Sequence, residues 1–100
     1  SNQDLNVTVT LAAESASNGD LSLLQETFYN TGRFFHGVQL FALAARNYSE
    51  ALHIADIRPD ASNLGVTRAT AHNMIKIYQR SQSYDLALDI MSRYLTISGN

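Results

Sequence analysis

The chain has no cysteine, no tryptophan, one proline and one lysine among its 100 residues. The missing cysteine excludes disulfides, thiolate metal sites and cysteine nucleophiles together. It also fits a reducing compartment. A single proline, Pro59, and five glycines leave long stretches without a helix breaker. Charged residues are scarce at 16%, while hydrophobic residues reach 45%, a balance that favours a packed core over disorder. No apolar run approaches the roughly 20 residues needed to span a bilayer, so no membrane association is expected. Ser1–Asp20 shows no basic stretch followed by an apolar block, so no secretory leader is expected either. These absences point to a cytoplasmic protein. Seven basic residues face nine acidic ones, for a net charge of −2. Proteins that bind nucleic acid usually show a basic excess, so nucleic acid is an unexpected partner.

Catalytic and metal motifs are also lacking. His36, His53 and His72 fall in three different predicted helices, and no H-E-x-x-H spacing occurs. Gly19, Gly32, Gly37, Gly65 and Gly99 are scattered, so no phosphate-binding loop forms, and no G-x-S-x-G is present. Asp85 and Asp89 share a helix face near a predicted N-terminus, where carboxylates favour the helix dipole. His53 and Asp56, three apart, read as a surface pair. The sequons Asn6-Val-Thr8 and Asn47-Tyr-Ser49 read as chance matches. The expectation is a non-enzyme with no cofactor and no metal.

What is present is helical periodicity. The punctuation predicts about six helices. The first runs from Asp4 to Ser17 with Val7, Leu11 and Ala12 on its apolar face, although the β-branched run Val7–Thr10 weakens its start. Asn18-Gly19-Asp20 forms a turn and Asp20 caps a second helix, Leu21–Tyr29. Asn30-Thr31-Gly32 ends it, with Gly32 suited to a left-handed cap. The third, Arg33–Arg46, is apolar nearly all round and reads as central. Asn47 caps the fourth, with Glu50 at capping-box spacing, and Arg58-Pro59 stops it. The fifth spans Val66–Gln79, and the sixth Tyr84–Ile97. The sixth places Tyr84, Ala87, Leu88, Met91 and Leu95 on one face. Short connections make neighbouring helices antiparallel.

Ala45–Ile54 and Ser81–Ile90 echo each other as polar–Tyr–polar–x–Ala–Leu–x–Ile, with Ala51 and Ala87 36 residues apart. This pattern resembles the tetratricopeptide repeat, whose period is about 34 residues. Val66–Asn100 looks like one complete repeat through Met74, Tyr78, Tyr84, Ala87, Leu88 and Met91. Phe34–Ile57 looks like a second through Phe35, Val38, Ala42, Tyr48, Ala51 and Leu52. Asp4–Tyr29 matches loosely. The glycine common in the family's first helix is Ile75 in one pair and Gln39 in the other. The resemblance implies an all-α fold of antiparallel helix hairpins, stacked as a short right-handed superhelix. Its pairs would be about 4–30, 33–58 and 64–97, in a single domain or a piece of a longer array. Thr70–Tyr78 with Tyr84–Leu88 also looks like a pentatricopeptide repeat, in which Asn73 would read an RNA base.

In tetratricopeptide arrays the first helix of each pair lines a concave binding face. On the fifth helix His72, Asn73, Lys76 and Arg80 form a polar, basic stripe suited to a partner's carboxylates. On the third, His36 and Leu40 begin a more apolar face suited to an amphipathic helix, with Leu43 and Ala44 expected in the core. The function implied is a scaffold or chaperone-like adaptor that binds a peptide or helix of another protein. Ile90, Tyr94 and Ile97 lie outside the sixth helix's core stripe, and self-association through that helix is a further expectation.

Overall fold

The computed structural model describes residues 2–96, with side chains from 7 onward. All of the described regular structure is helical, and there are five helices rather than six: α1 (Asn2–Ser15), α2 (Asn18–Gly37), α3 (Phe41–Ile57), α4 (Leu64–Arg80) and α5 (Tyr84–Tyr94). The expected second, third and fourth helices are regrouped into two. α2 runs straight through Asn30-Thr31-Gly32, and α3 runs straight through Asn47.

Gly32 is the reason the first expected break fails. It sits inside α2 and does not cap it. A Cβ placed there would lie 2.5 Å from Tyr48 Cδ1 and Cε1 and 3.3 Å from the Ala44 carbonyl oxygen. Glycine is therefore used for close helix approach, not for a turn. Asn47 does not cap α3 either. Its side chain donates back to the Leu43 carbonyl at 2.9 Å, one turn earlier within the same helix. The real break is Val38–Leu40, where Gln39 takes a left-handed φ of 66°. Two apolar residues flank it, so the local sequence carries little turn signal.

The other ends lie close to expectation. Ser17, not Asp20, caps α2, its Oγ accepting from the Asp20 amide at 3.1 Å. Asn63 caps α4 through Oδ1, which accepts from the Val66 amide at 3.1 Å. The β-branched start of α1 is helical, because its buried face is Val9 and Ala13 packed on Leu21, Ile54 and Ala61. Val7, Leu11 and Ala12, the expected apolar stripe, are exposed.

α2 and α3 form one antiparallel hairpin and α4 and α5 a second, while α3 also packs on α4. The repeat register follows from these pairs. Ala44 and Ala87 each stand fourth in the second helix of a hairpin, 43 residues apart. The family pattern of aromatic, two residues, apolar-Gly, two residues, aromatic, then Ala and an aromatic four later falls on Phe28, Gly32, Phe35, Ala44 and Tyr48, with Thr31 in the apolar place. The 36-residue alignment of Ala51 with Ala87 is thus two helical turns out of register, although both alanines are buried. α1 belongs to neither hairpin and packs mainly on α3.

The main core joins Ala44, Tyr48 and Leu52 of α3 to Ala71, Met74, Ile75 and Ile77 of α4 and Ala87 and Ile90 of α5. On α5 the expected face is turned. Ala87 is buried as expected, but Ile90 and Tyr94 also face inward, whereas Tyr84, Leu88 and Met91 are exposed. Ile97 lies outside the described residues.

Two polar side chains weld the layers. Gln25, fully buried on α2, donates to Thr67 Oγ1 at 2.7 Å and to the Ala51 carbonyl at 3.3 Å, and accepts from the Asn63 amide at 2.9 Å. Arg58, after α3, donates to the carbonyls of Ala13 and Ala16 at 2.8 and 3.3 Å and to Asn18 Oδ1 at 2.6 Å. It thereby fastens the C-terminal end of α1, whose last carbonyls lack helical partners, to the rest of the fold.

Candidate functional site

The C-terminal halves of α2 and α4 lie side by side across the start of α3. Tyr48 is the hub. Its hydroxyl oxygen accepts from Asn73 Nδ2 at 3.3 Å and stands 3.0 Å from His36 Nδ1. The pairing that satisfies all three groups has Tyr48 donating to His36 Nδ1, which leaves the proton of neutral His36 on Nε2. The His36 ring meets Phe41 and Tyr48 edge to face, with centroids 5.7 and 5.9 Å apart.

Cations surround this aromatic cluster. The Arg80 guanidinium lies over the Phe41 ring, 4.4 Å from its centroid, and Arg33 lies 5.7 Å from the Tyr29 ring centroid. Tyr29 in turn stands 6.3 Å from Tyr48. Lys76 is near enough to His36 to disfavour a second positive charge there. Burial and, after it, Lys76 hold His36 below its ordinary pKa. Burial pushes the Tyr48 hydroxyl up, with the Asn73 hydrogen bond acting against it. Among the described residues, no carboxylate lies within ion-pair distance of Arg33, Lys76 or Arg80.

His36 charges less readily in the folded chain than in the unfolded one. Its contribution to stability is therefore present above the unfolded pKa of 6.5 and lost as pH falls through the lower folded value. The His36 contribution to the melting temperature falls as pH drops below 6.5, and His36→Gln removes that part of the pH dependence; the Glu50 carboxyl, raised by burial, acts in the opposite direction. Parallel thermal melts of the two proteins across this range measure the effect. The groups facing His36 are Tyr48 and Phe41 from α3 and Lys76 from α4.

The site residues read from the sequence are partly brought together. His36, Asn73, Lys76 and Arg80 converge on this face, although His36 belongs to α2 and not to the helix that begins at Phe41. His72 is exposed one turn before Lys76, and no hydrogen bond among the described residues joins it to the cluster. Leu40 occupies the N-cap position of α3, not its interior, and is exposed. Together with exposed Phe34 and Val38 at the end of α2 it forms an apolar margin. Leu43, expected in the core, is exposed, whereas Ala44 is fully buried. Asn73, the expected base-reading position, donates through Nδ2 to the Tyr48 hydroxyl at 3.3 Å. Tyr29, Arg33 and Phe41 escaped sequence reading. The spacing of Tyr29, Arg33 and His36 on one helix would have revealed them had α2 not been cut at Gly32.

A second concavity, about 240 Å³, opens between α3, α4 and α5. Here charge is already matched. Arg93 pairs with Asp56 at 3.0 Å and Asp89 at 3.3 Å, and the Tyr94 hydroxyl donates to Asp56 at 2.8 Å. His53, expected to pair with Asp56, meets Thr10 Oγ1 at 2.9 Å instead. These contacts hold α5 and α1 to α3. No group of three metal-ligating side chains occurs among the described residues.

Two curated proteins are similar to this chain. The transcription factor tau 131 kDa subunit of Saccharomyces cerevisiae is 37% identical over 73 residues, covering 73% of this chain and 6% of that protein. General transcription factor 3C polypeptide 3 of Homo sapiens is 33% identical over 76 residues, covering 73% of this chain and 9% of that protein. The chain thus spans less than a tenth of the length of either relative. No protein-family model matches it, and no solved structure matches it. The cytoplasmic expectation is overturned: transcription-factor subunits act in the nucleus, and an absence of cysteine does not distinguish two reducing compartments. The whole-chain charge also misleads about partners. A net −2 conceals a face on which Arg33, Lys76 and Arg80 gather, so it gives no ground for excluding nucleic acid.

Proposed function

We propose, from its likeness to transcription-factor subunits, that the chain is a non-catalytic interaction module of a nuclear transcription assembly. In this reading the α2–α4 face holds an acidic segment of another subunit. The observation that carries it is the convergence of Arg33, Lys76 and Arg80 around the His36–Tyr48–Phe41 cluster on one face. A face so built repels cations and offers several donors to carboxylates. The apolar margin at Phe34, Val38 and Leu40 suits a segment that alternates acidic with hydrophobic residues. The tetratricopeptide-like register of Gly32, Ala44 and Tyr48 supports the same reading, since that architecture presents the first helices of successive hairpins on one side.

Lys76→Glu with Arg80→Glu tests it. Both side chains are exposed, so helicity by circular dichroism should be unchanged. Affinity for a fluorescent Asp/Glu-rich peptide bearing Leu and Phe should fall at least about tenfold, or ~1.4 kcal/mol. Unchanged affinity removes the reading. Equal or stronger salt-dependent retention of the wild-type chain on mixed-sequence DNA, lost in the same variant, assigns the face to phosphate backbones instead.

A further inference from the structure

The concavity between α3, α4 and α5 holds more acceptors than its own side chains use. Its floor is apolar, made of buried Leu52, Met74 and Ile90. Its rim is polar. There Arg93 pairs with two carboxylates, Asp56 at 3.0 Å and Asp89 at 3.3 Å, but carries one charge against their two. With His53 counted as neutral, one negative charge is left over. Asp56 is fully engaged: Oδ1 accepts from the Tyr94 hydroxyl at 2.8 Å and Oδ2 from Arg93. Asp89 accepts from Arg93 through Oδ2 alone, which leaves Oδ1 unused. The Ser49 and Tyr78 hydroxyls, which line the same space, have no hydrogen bond among the described residues. Burial and, after it, the charge of Asp89 hold the Tyr78 hydroxyl above its ordinary pKa, which places that carboxylate beside the phenol.

We propose that this concavity receives the side chain of a lysine presented by another polypeptide. Three unused oxygens, one from each helix, answer the three donors of an ammonium group. An arginine fits less well. A guanidinium seeks both oxygens of one carboxylate, and neither Asp56 nor Asp89 has both free. The apolar floor takes the aliphatic stem, since long cationic side chains lay their stems on apolar surface. The rings of Tyr78 and Tyr94 line the same space and favour a cation. A volume of about 240 Å³ holds one side chain and leaves the partner's backbone outside. The side of α5 used here, Asp89 and Arg93, is turned to Asp56 of α3 and lies opposite exposed Tyr84 and Met91 on the helix. A further hairpin stacked on that outward side therefore does not fill the concavity. The site is also separate from the α2–α4 face and does not depend on how that face is used.

The probe is Nα-acetyl-lysine methylamide, titrated into the isotope-labelled chain and read by amide chemical shifts. Saturable shifts are expected at Ser49, Tyr78 and Asp89. The norleucine counterpart, which keeps the stem without the charge, should give none. The arginine counterpart should bind at least about threefold more weakly. Asp89→Asn should weaken the lysine probe at least about fivefold, and Tyr78→Phe should weaken it by less. Both variants should melt close to the wild type, because Arg93 and Tyr94 still hold Asp56. A short alanine peptide with one central lysine should bind at least as well as the probe. The proposal is overturned by the absence of saturable shifts at these three residues, or by an affinity indifferent to Asp89→Asn. It is equally overturned if the norleucine or arginine counterpart binds as tightly as lysine. Weaker binding of the peptide than of the probe also overturns it, because the ligand is then a small free amine.

Discussion

Replacing Gly32 with alanine should lower the melting temperature by about 4–24 °C, the reverse of what the substitution does in an ordinary helix. In a helix interior Gly→Ala normally gains about 1 kcal/mol, because glycine surrenders more backbone freedom on folding. At Gly32 the added methyl would sit 2.5 Å from two ring carbons of Tyr48, whose side chain is fully buried. Neither partner can step aside. The Tyr48 hydroxyl is held by His36 and Asn73, and the Ala44 carbonyl lies 3.3 Å from the same point. Overpacking of this kind costs about 1–3 kcal/mol beyond the lost propensity gain, and each kcal/mol corresponds to roughly 4–8 °C in a domain this size. Gly19→Ala is the internal control, since nothing lies within 4 Å of its would-be Cβ. Its melting temperature should hold or rise slightly. Adding Tyr48→Leu to Gly32→Ala should cost less than the two changes summed, because the first makes room for the second. A Gly32→Ala protein as stable as the wild type would mean that α2 and α3 do not approach as described.

Gln25→Leu should be of similar size, about 3 kcal/mol. Leucine fills the space but leaves the buried Thr67 hydroxyl and the part-buried Asn63 amide without their partner, and a buried group so orphaned costs about 1–3 kcal/mol. The effect should also be local in a recognisable way. Hydrogen exchange at Asn63, and at Val66 within the cap that Asn63 forms, should accelerate more than exchange in α5. Gln25→Leu combined with Thr67→Val should recover part of the loss, because the pair then lacks both donor and acceptor. A melting curve indistinguishable from wild type would remove Gln25 as the junction between the two hairpins.

Several features of the fold were legible in the residues alone. The helical periodicity, the stop at Arg58-Pro59 and the short turn before Tyr84 all depend on neighbours in sequence, and all lie where local chemistry puts them. So does the basic run His72, Asn73, Lys76, Arg80, because four residues on one helix share a face whatever surrounds the helix. The break between α2 and α3 was not legible. Asn30-Thr31-Gly32 carries every local sign of a turn, and Val38–Leu40 carries few. Packing reversed both, since a glycine is worth more where two helices touch than where a helix could end.

The sequence by itself determined that this protein is helical, that its hairpins are antiparallel and that its cations are few. These follow from propensity, short connections and composition, which act over a few residues. Tertiary structure alone decided that Arg33 and His36 of α2 join Lys76 and Arg80 of α4. It also decided that Gln25 and Arg58 fasten the layers and that α5 turns Tyr84, Leu88 and Met91 outward. Those outcomes depend on contacts between residues about 40 apart, and the period of a helix says which side chains share a face but not which neighbour that face will meet.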